Sequence, residues 1–291
     1  MDRNTNTLRT YKSLRREVMR LLNRVGLNYA QQKRFTAEAS AVFTATGITD
    51  PTQKTAVDYL VKQLKANNLY SKFSVLYPFV GGTAHTHKYN LINPADSDAA
   101  FRIVWSGSVT HDANGIKSNG TNGYGDAKYN PVAASASLTS FSMGIYKTGI
   151  EANGTSRSVI GNLSGTGSYT ILGWVSSGTK IGGAIGAASS SEFTPTETIA
   201  QSNGIQIINV SGSRVASLYS NSGLVGTHVT QTGAFADCNI FVLALNNNGT
   251  PSSYRLETIV KLAYISTGMT AGEISTLISI ITAYQTMLGR N

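Results

Sequence analysis

Glycine divides this chain into two parts of different character. Of 29 glycines only Gly26 and Gly47 precede Leu76, so 27 fall in residues 76–291, where Ser, Thr and Asn also dominate and charged residues thin out. Glycine inside a helix costs roughly 0.5–1 kcal/mol relative to alanine, and Ser and Asn side chains compete for the backbone. A long stretch of this composition therefore reads as short strands joined by polar turns. At 291 residues there is room for a helical head and one β-rich domain of about 200 residues.

The head shows helical spacing. Tyr11, Leu14, Val18, Leu21, Leu22 and Val25 fall on one stripe, with Lys12, Arg15, Arg16, Arg20 and Arg24 mostly off it and Gly26 placed to end the helix. Two heptads are too few for a self-sufficient coiled coil, so this helix needs a partner. A second helix is expected from about Tyr29 to Thr44. A third starts at Asp50 as cap and Pro51 as first residue, with Gln53 reaching back to the cap and Val57, Leu60, Val61 and Leu64 on one face.

From Phe101 onward, short runs are broken by turn chemistry: FRIVW, YTILGWV, GIQIINV, SRVASLY, NIFVLAL and YRLETIVKLAYI. Asn-Gly pairs at 114–115, 119–120 and 122–123 mark turns, and Asn247-Asn248-Gly249 signals a hairpin. Many short strands with polar turns predict an antiparallel sandwich or jelly roll. A final helix over 271–288 opens on a Thr270–Glu273 capping box, with Ile274, Leu277, Ile278, Ile281 and Leu288 on one side.

The segment LYPFVGGTAHTHKYNLINP (76–94) and the DAAFRIVWSG that follows at 98–107 are more specific than patterning requires. They resemble the opening of the concanavalin A-like (laminin-G-like) modules of tailed-bacteriophage virion structural proteins of the tail, fibre or appendage type. ATGITDPTQKTAVDYLVKQLKANNLYSKF upstream is similar to the helical lead-in of those proteins, SVTHDANGIKSNGTNGYG to their next element, and STGMTAGEISTLISIITAYQTMLGRN to their closing helix with its Gln-Thr-x-Leu-Gly-Arg ending. The resemblance covers roughly residues 43–130 and 262–291. It implies a mainly β chain: a concanavalin A-like antiparallel β-sandwich preceded by a helical segment and closed by a helix. The expected divisions are a basic anchor helix (1–28), a helical lead-in (29–72) and the sandwich (73–291). It further implies a non-enzymatic virion protein, made in the bacterial cytoplasm, with other virion proteins and further copies of itself as partners. The alternatives are an adhesin that binds host glycans and, behind it, a glycan depolymerase.

Charge places the docking device. Residues 1–34 hold nine Lys/Arg against Asp2 and Glu17, a net +7, whereas 35–75 and 76–291 each carry +1 of the total +9. Basicity on one helix fits three partners: nucleic acid, a membrane surface or an acidic protein groove. The apolar stripe favours the groove, since a phosphate binder does not need it, and the lack of large aromatics argues against a membrane. The docking residues are Leu14, Arg15, Arg16, Val18, Arg20, Leu21, Arg24 and Val25. No apolar run follows the basic N-terminus, so neither an export signal nor a span is read.

Other chemistry is thin. His85 and His87, two apart, face the same way on a strand, and with His111 they raise a zinc site against the plainer reading of packed, backbone-bonded imidazoles. Asp96, Asp98, Asp112, Asn114 and Asp126 raise calcium against turn-forming and capping roles. Glu151, Glu192, Glu197 and Glu257 show no clustered carboxylate pattern for a glycosidase, and no nucleophile elbow or phosphate loop occurs. The expectation is no cofactor and no metal. Cys238 reads as a small buried residue. Trp105 reads as core, and Trp174 as a possible glycan contact.

Overall fold

The computed structural model describes residues 14–21, 35–149, 159–165, 167–176, 180–192, 203–254 and 258–290. The chain divides into two units, Met1–Thr36 and Ala37–Asn291. In the first, residues 14–21 are helical (α1). The second holds helices α2 (Ala37–Thr46), α3 (Pro51–Ala66), the one-turn α4 (Ala84–His87) and α5 (Ala271–Met287) around two β-sheets. Among the described residues no helix is long and apolar enough to cross a membrane.

Local signals set the helix ends. The Asp50 carboxylate accepts the Gln53 N–H at 2.8 Å, Pro51 occupies the first turn, and Val57, Leu60, Val61 and Leu64 are buried. Gln53 does not return to the cap as expected: its Oε1 accepts the Gly81 N–H at 2.7 Å, which ties α3 to the loop opening the sandwich. The Thr270–Glu273 box at the start of α5 is closed in both directions. α2 ends at Thr46, two residues beyond the expected end, before Gly47 at φ +70°; its expected start at Tyr29 lies outside the described residues.

The strands run β1 (Phe73–Tyr77), β2 (Val104–Ser106), β3 (Val109–Asp112), β4 (Gly115–Ser118), β5 (Tyr124–Asp126), β6 (Ser140–Thr148), β7 (Ile160–Ser164) and β8 (Ser168–Ser176). Then follow β9 (Lys180–Ala187), β10 (Gly204–Ser211), β11 (Val215–Ser220), β12 (Gly223–Thr230), β13 (Phe241–Val242), β14 (Leu245–Asn247), β15 (Thr250–Ser252) and β16 (Ile259–Ser266). The first sheet is ordered β12-β11-β10-β6-β16-β4-β3, with β1 also on β16. The second is ordered β15-β14-β7-β13-β5-β2, with β8 and β9 extending from β7. Pairing is antiparallel except for β14 with β7. The expected β-sandwich, helices before it and a helix closing it, is the observed fold.

Two strand expectations change. The run NIFVLAL is not one strand: Leu243 sits at φ +68° and breaks it into β13, antiparallel to β7, and β14, parallel to β7. The Asn-Gly turn at 248–249, both residues at positive φ, makes the predicted hairpin, but onto the short β15. Of the other Asn-Gly pairs, 114–115 turns β3 into β4. Those at 119–120 and 122–123 belong to one loop in which Asn119 Oδ1 accepts the N–H groups of Thr121, Asn122 and Gly123.

The core lies between the sheets. Phe141, Met143 and Ile145 of β6, Ile208 and Val210 of β10 and Ala263 and Ile265 of β16 meet Ile160, Leu172, Ile185 and Val242 of the second sheet. The outer face of the first sheet is buried too, since α5 turns Ile274, Leu277, Ile281 and Tyr284 inward and packs on β10 and α3. Tyr264, fully buried on that face, packs its ring against Gly144. A Cβ on Gly144 would meet the Tyr264 ring at 2.1 Å.

The closing Gln-Thr-x-Leu-Gly-Arg sequence acts as a clamp. Arg290, 4 % exposed, donates to the carbonyls of Phe79 at 2.8 Å, Lys261 at 3.3 Å and Pro78 at 3.4 Å. Lys261 Nζ returns a bond to the Arg290 carbonyl at 2.7 Å, and the Tyr284 hydroxyl donates to Pro78 O at 2.9 Å. Arg290→Ala is expected to lower unfolding free energy by about 2–4 kcal/mol, because three buried carbonyls lose a charged donor. Gly144→Ala is expected to destabilise by about 1–3 kcal/mol through overpacking against Tyr264. Urea unfolding of each variant checks both values.

Candidate functional site

The expected docking helix exposes its apolar side. Leu14, Val18 and Leu21 of α1 are 63 %, 47 % and 56 % exposed, and Arg15, Arg16 and Arg20 are exposed beside them. Arg24 and Val25 lie outside the described residues. Met19, 56 % exposed, widens the apolar surface beyond the stripe read from spacing.

The histidines sit on a helical turn rather than a strand, and they part company there. His85 turns to an edge-to-face contact with Tyr89 at 5.4 Å. His87 is buried, its Nε2 accepting the Gly82 N–H at 3.2 Å, its Nδ1 lying 3.1 Å from Nδ1 of His111 on β3. The Gly82 bond requires Nε2 to be unprotonated. The proton is therefore on His87 Nδ1 and donates to His111 Nδ1, leaving His111 protonated at Nε2. A metal on the two Nδ1 atoms would need His87 Nε2–H, which would point at the Gly82 N–H. Zinc does not fit, and no cluster of three His, Cys, Asp or Glu suited to a metal occurs among the described residues. Burial first, then His111 and Arg290, push His87 down to about 3; burial also lowers His111.

The acidic residues raised for calcium are engaged with cations and turns. Asp96 pairs with Lys88 at 2.6 Å and Arg102 at 2.7 Å, and Asp98 with Arg102 at 3.0 Å. Asp126 pairs with Lys128 at 3.0 Å. Asp112 accepts the Asn114 N–H at 2.7 Å, as a turn-forming side chain does. Glu192 is pinned to backbone N–H groups of Ala188 and Thr232 and to the Thr232 hydroxyl, while Glu151, Glu197 and Glu257 lie outside the described residues. Cys238 is half-buried rather than buried, its thiol against the Leu163 carbonyl and its pKa raised by desolvation.

Of the tryptophans, Trp105 packs against the core as expected, with its indole N–H on the Ala84 carbonyl at 3.0 Å. Trp174 stands on β8 opposite Gly182, and its side chain lies outside what the structure describes. An aromatic group that sequence reading missed occupies the outer face of the second sheet. Gly125, Ala127 and Val242 face the core, so the alternation of strands turns Tyr124, Asp126 and Phe241 outward. Tyr124 stacks on Phe241 at 4.6 Å and 27°, and Tyr254 lies 6.3 Å from Tyr124. The signal was the Tyr-Gly-Asp alternation of 124–126. Its partners Phe241 and Tyr254 lie more than a hundred residues away. Elsewhere a cleft of about 140 Å³ opens between the start of α3, Val80, Ala113 and Leu288, with Arg290 in its wall.

His87 supplies a pH signature. Folding takes this imidazole up in neutral form, so between pH about 6.5 and 3 the unfolded chain binds one more proton than the native one. Stability is complete above pH 6.5 and falls as pH falls. Between pH 7 and 5, above the range where the carboxylates titrate, His87 alone is expected to lower unfolding free energy by about 1.5–2 kcal/mol, and His111, also lowered by burial, adds to the drop in the same direction; chemical denaturation at both values measures it.

No family model and no curated protein matches the sequence. Similar solved structures include a Trypanosoma rangeli sialidase in complex with a difluorinated KDN derivative, at TM-score 0.52 and 14 % identity, covering 82 % of this chain and 40 % of that one. Others are the Ruminococcus gnavus IT-sialidase CBM40 bound to α2,3-sialyllactose (TM-score 0.40, 12 % identity, 50 % of this chain, 86 % of that one), and domain 4 of a GH43 extracellular arabinanase from Geobacillus stearothermophilus in complex with arabinotriose (0.42, 12 %, 71 % and 98 %). The chain thus spans 40 % of the sialidase's length, and what the two share is a fold.

Proposed function

We propose that this chain is a non-enzymatic structural protein of a tailed-bacteriophage particle, docked through α1 into another virion subunit and displaying its β-sandwich. The observation that carries the reading is the α1 surface: Leu14, Val18 and Leu21 exposed on the same helix as Arg15, Arg16 and Arg20, in the segment that holds seven of the nine net positive charges. An amphipathic helix of this kind is stable when its apolar side is covered. A groove with an apolar floor and an acidic rim meets both demands, and each aliphatic side chain buried there contributes roughly 1.5–3 kcal/mol before the costs of association. The resemblance of residues 43–130 and 262–291 to virion proteins supplies the setting.

Particles assembled with a Leu14→Asp, Leu21→Asp chain are expected to lack the protein, with the purified variant melting like wild type. Neutralising Arg16 and Arg20 is expected to weaken incorporation more at low salt than at high, because salt already screens the attraction that these charges supply. Quantitative blotting of purified particles reads both, and normal incorporation of a chain without residues 1–34 overturns the reading.

A further inference from the structure

The two sheets present their outer faces differently. That of the first is covered by α5. On that of the second, Ile171, Ala184, Ala187 and Leu245 of β8, β9 and β14 form a buried apolar cluster, and towards the β2 edge an aromatic group is built on β5 and β13 from residues far apart in the chain. Phe241, 5 % exposed, is its base; Tyr124, half-buried, lies on it nearly parallel; and Tyr254 extends the surface at a tilt of 53°. Ser106 of β2 stands directly across from Tyr124 in the register. Asp126 follows Tyr124 on the same face, bonded to Asn239 at 3.2 Å and paired with Lys128 at 3.0 Å.

We propose that this face binds neutral pyranose chains, with the Tyr124 ring as the stacking surface and Ser106, Asp126, Lys128 and Asn239 as the hydroxyl-bonding rim. Three properties select that ligand chemistry. A sugar ring offers an apolar C–H face the size of one aromatic ring and hydroxyls around its edge, matching a Tyr124 stack bordered on its β2 and β5 side by polar side chains. The rim is charge-balanced, since Asp126 and Lys128 neutralise each other, and residues 76–291 carry only +1; nothing here selects an anion. A protein partner would need about 800 Å² per side with an apolar centre. The exposed large apolar residues described in this unit, Val132, Val215, Leu224 and Met287, belong to other elements.

The inference is independent of α1 docking and is tested on the purified full-length protein, so failure of either leaves the other standing. The probes are dextran, yeast mannan and arabinogalactan as neutral polymers and alginate as the anionic one, each cast into native gels. Retardation by at least one neutral polymer is expected, whereas retardation by alginate, which the net +7 of residues 1–34 produces by itself, is expected to be the same in wild type and in variants of this face. Tyr124→Ala is expected to weaken binding of the neutral polymer about tenfold, and Tyr124→Phe, which keeps the stack, by less than about twofold. Because Tyr124 also shields Phe241, Ser106→Arg serves as a second variant: it blocks the face without removing packing and is expected to abolish retardation by the neutral polymers with an unchanged melting curve. Migration unaffected by all three neutral polymers, alginate retardation that is lost in Ser106→Arg, or wild-type retardation of Tyr124→Ala and Ser106→Arg by the neutral polymers would each overturn the proposal.

Discussion

Burial of the first sheet on both faces is the constraint on which the rest of this structure depends. β6, β10 and β16 are buried almost along their whole length because the second sheet covers one face and α5 the other. A strand in that position loses the alternation of apolar and polar residues that marks a half-exposed strand, and each side chain must fit two boundaries. Gly144 is the sharpest case, its missing side chain being the space that Tyr264 fills. Polar residues survive there only with partners. Asn209 on β10 exchanges two bonds with Met269, at 2.9 Å each, and so fixes where the chain leaves the sheet to begin α5.

The opening loop of the sandwich is held in the same manner, by groups that arrive from elsewhere. Gly81 is bonded by Gln53, Gly82 by His87, and Pro78 and Phe79 by Arg290 and Tyr284. A loop with little regular structure of its own would otherwise leave these backbone groups unsatisfied in a buried place. Here they are met by side chains from α3, α4, α5 and the residues just past it. This gives physical content to the specificity of the segment 76–94 and of the closing Gln-Thr-x-Leu-Gly-Arg: the two are halves of one hydrogen-bonded junction, built also with Lys261 of β16.

What could be read from the sequence was what is decided within a few residues. The cap at Asp50, the box at Thr270, the turns at Asn114 and Asn248 and the glycine-driven change from helix to strand all rest on short-range chemistry, and all appear in the structure. What escaped depends on distant partners. Leu243 takes a left-handed conformation where β13 gives way to β14, for which nothing in NIFVLAL gives warning. The glycine-rich β9, KIGGAIGA, lacks the β-branched alternation that announces a strand. His87 and His111 are 24 positions apart, and their proton arrangement is set by the Gly82 amide. Tyr124 could be seen to alternate, but its stacking on Phe241 belongs to the sheet and not to either segment.

The clamp at Arg290 also bears on how the chain reaches this state. Its bond to Phe79 spans 211 positions, and β1 gains its sheet partner only when β16 is in place. At synthesis rates of 5–20 residues per second, the opening loop and first strand wait roughly 10–40 s for the groups that satisfy them. Through that interval β6 and β10 have neither α5 nor β16 to cover them, so their two apolar faces stay open to other chains. Contacts this remote in sequence also slow the final closure itself. The sandwich is thus completed after its strands are made, by its last helix, and the newly synthesised chain is the form in which it is most exposed to aggregation.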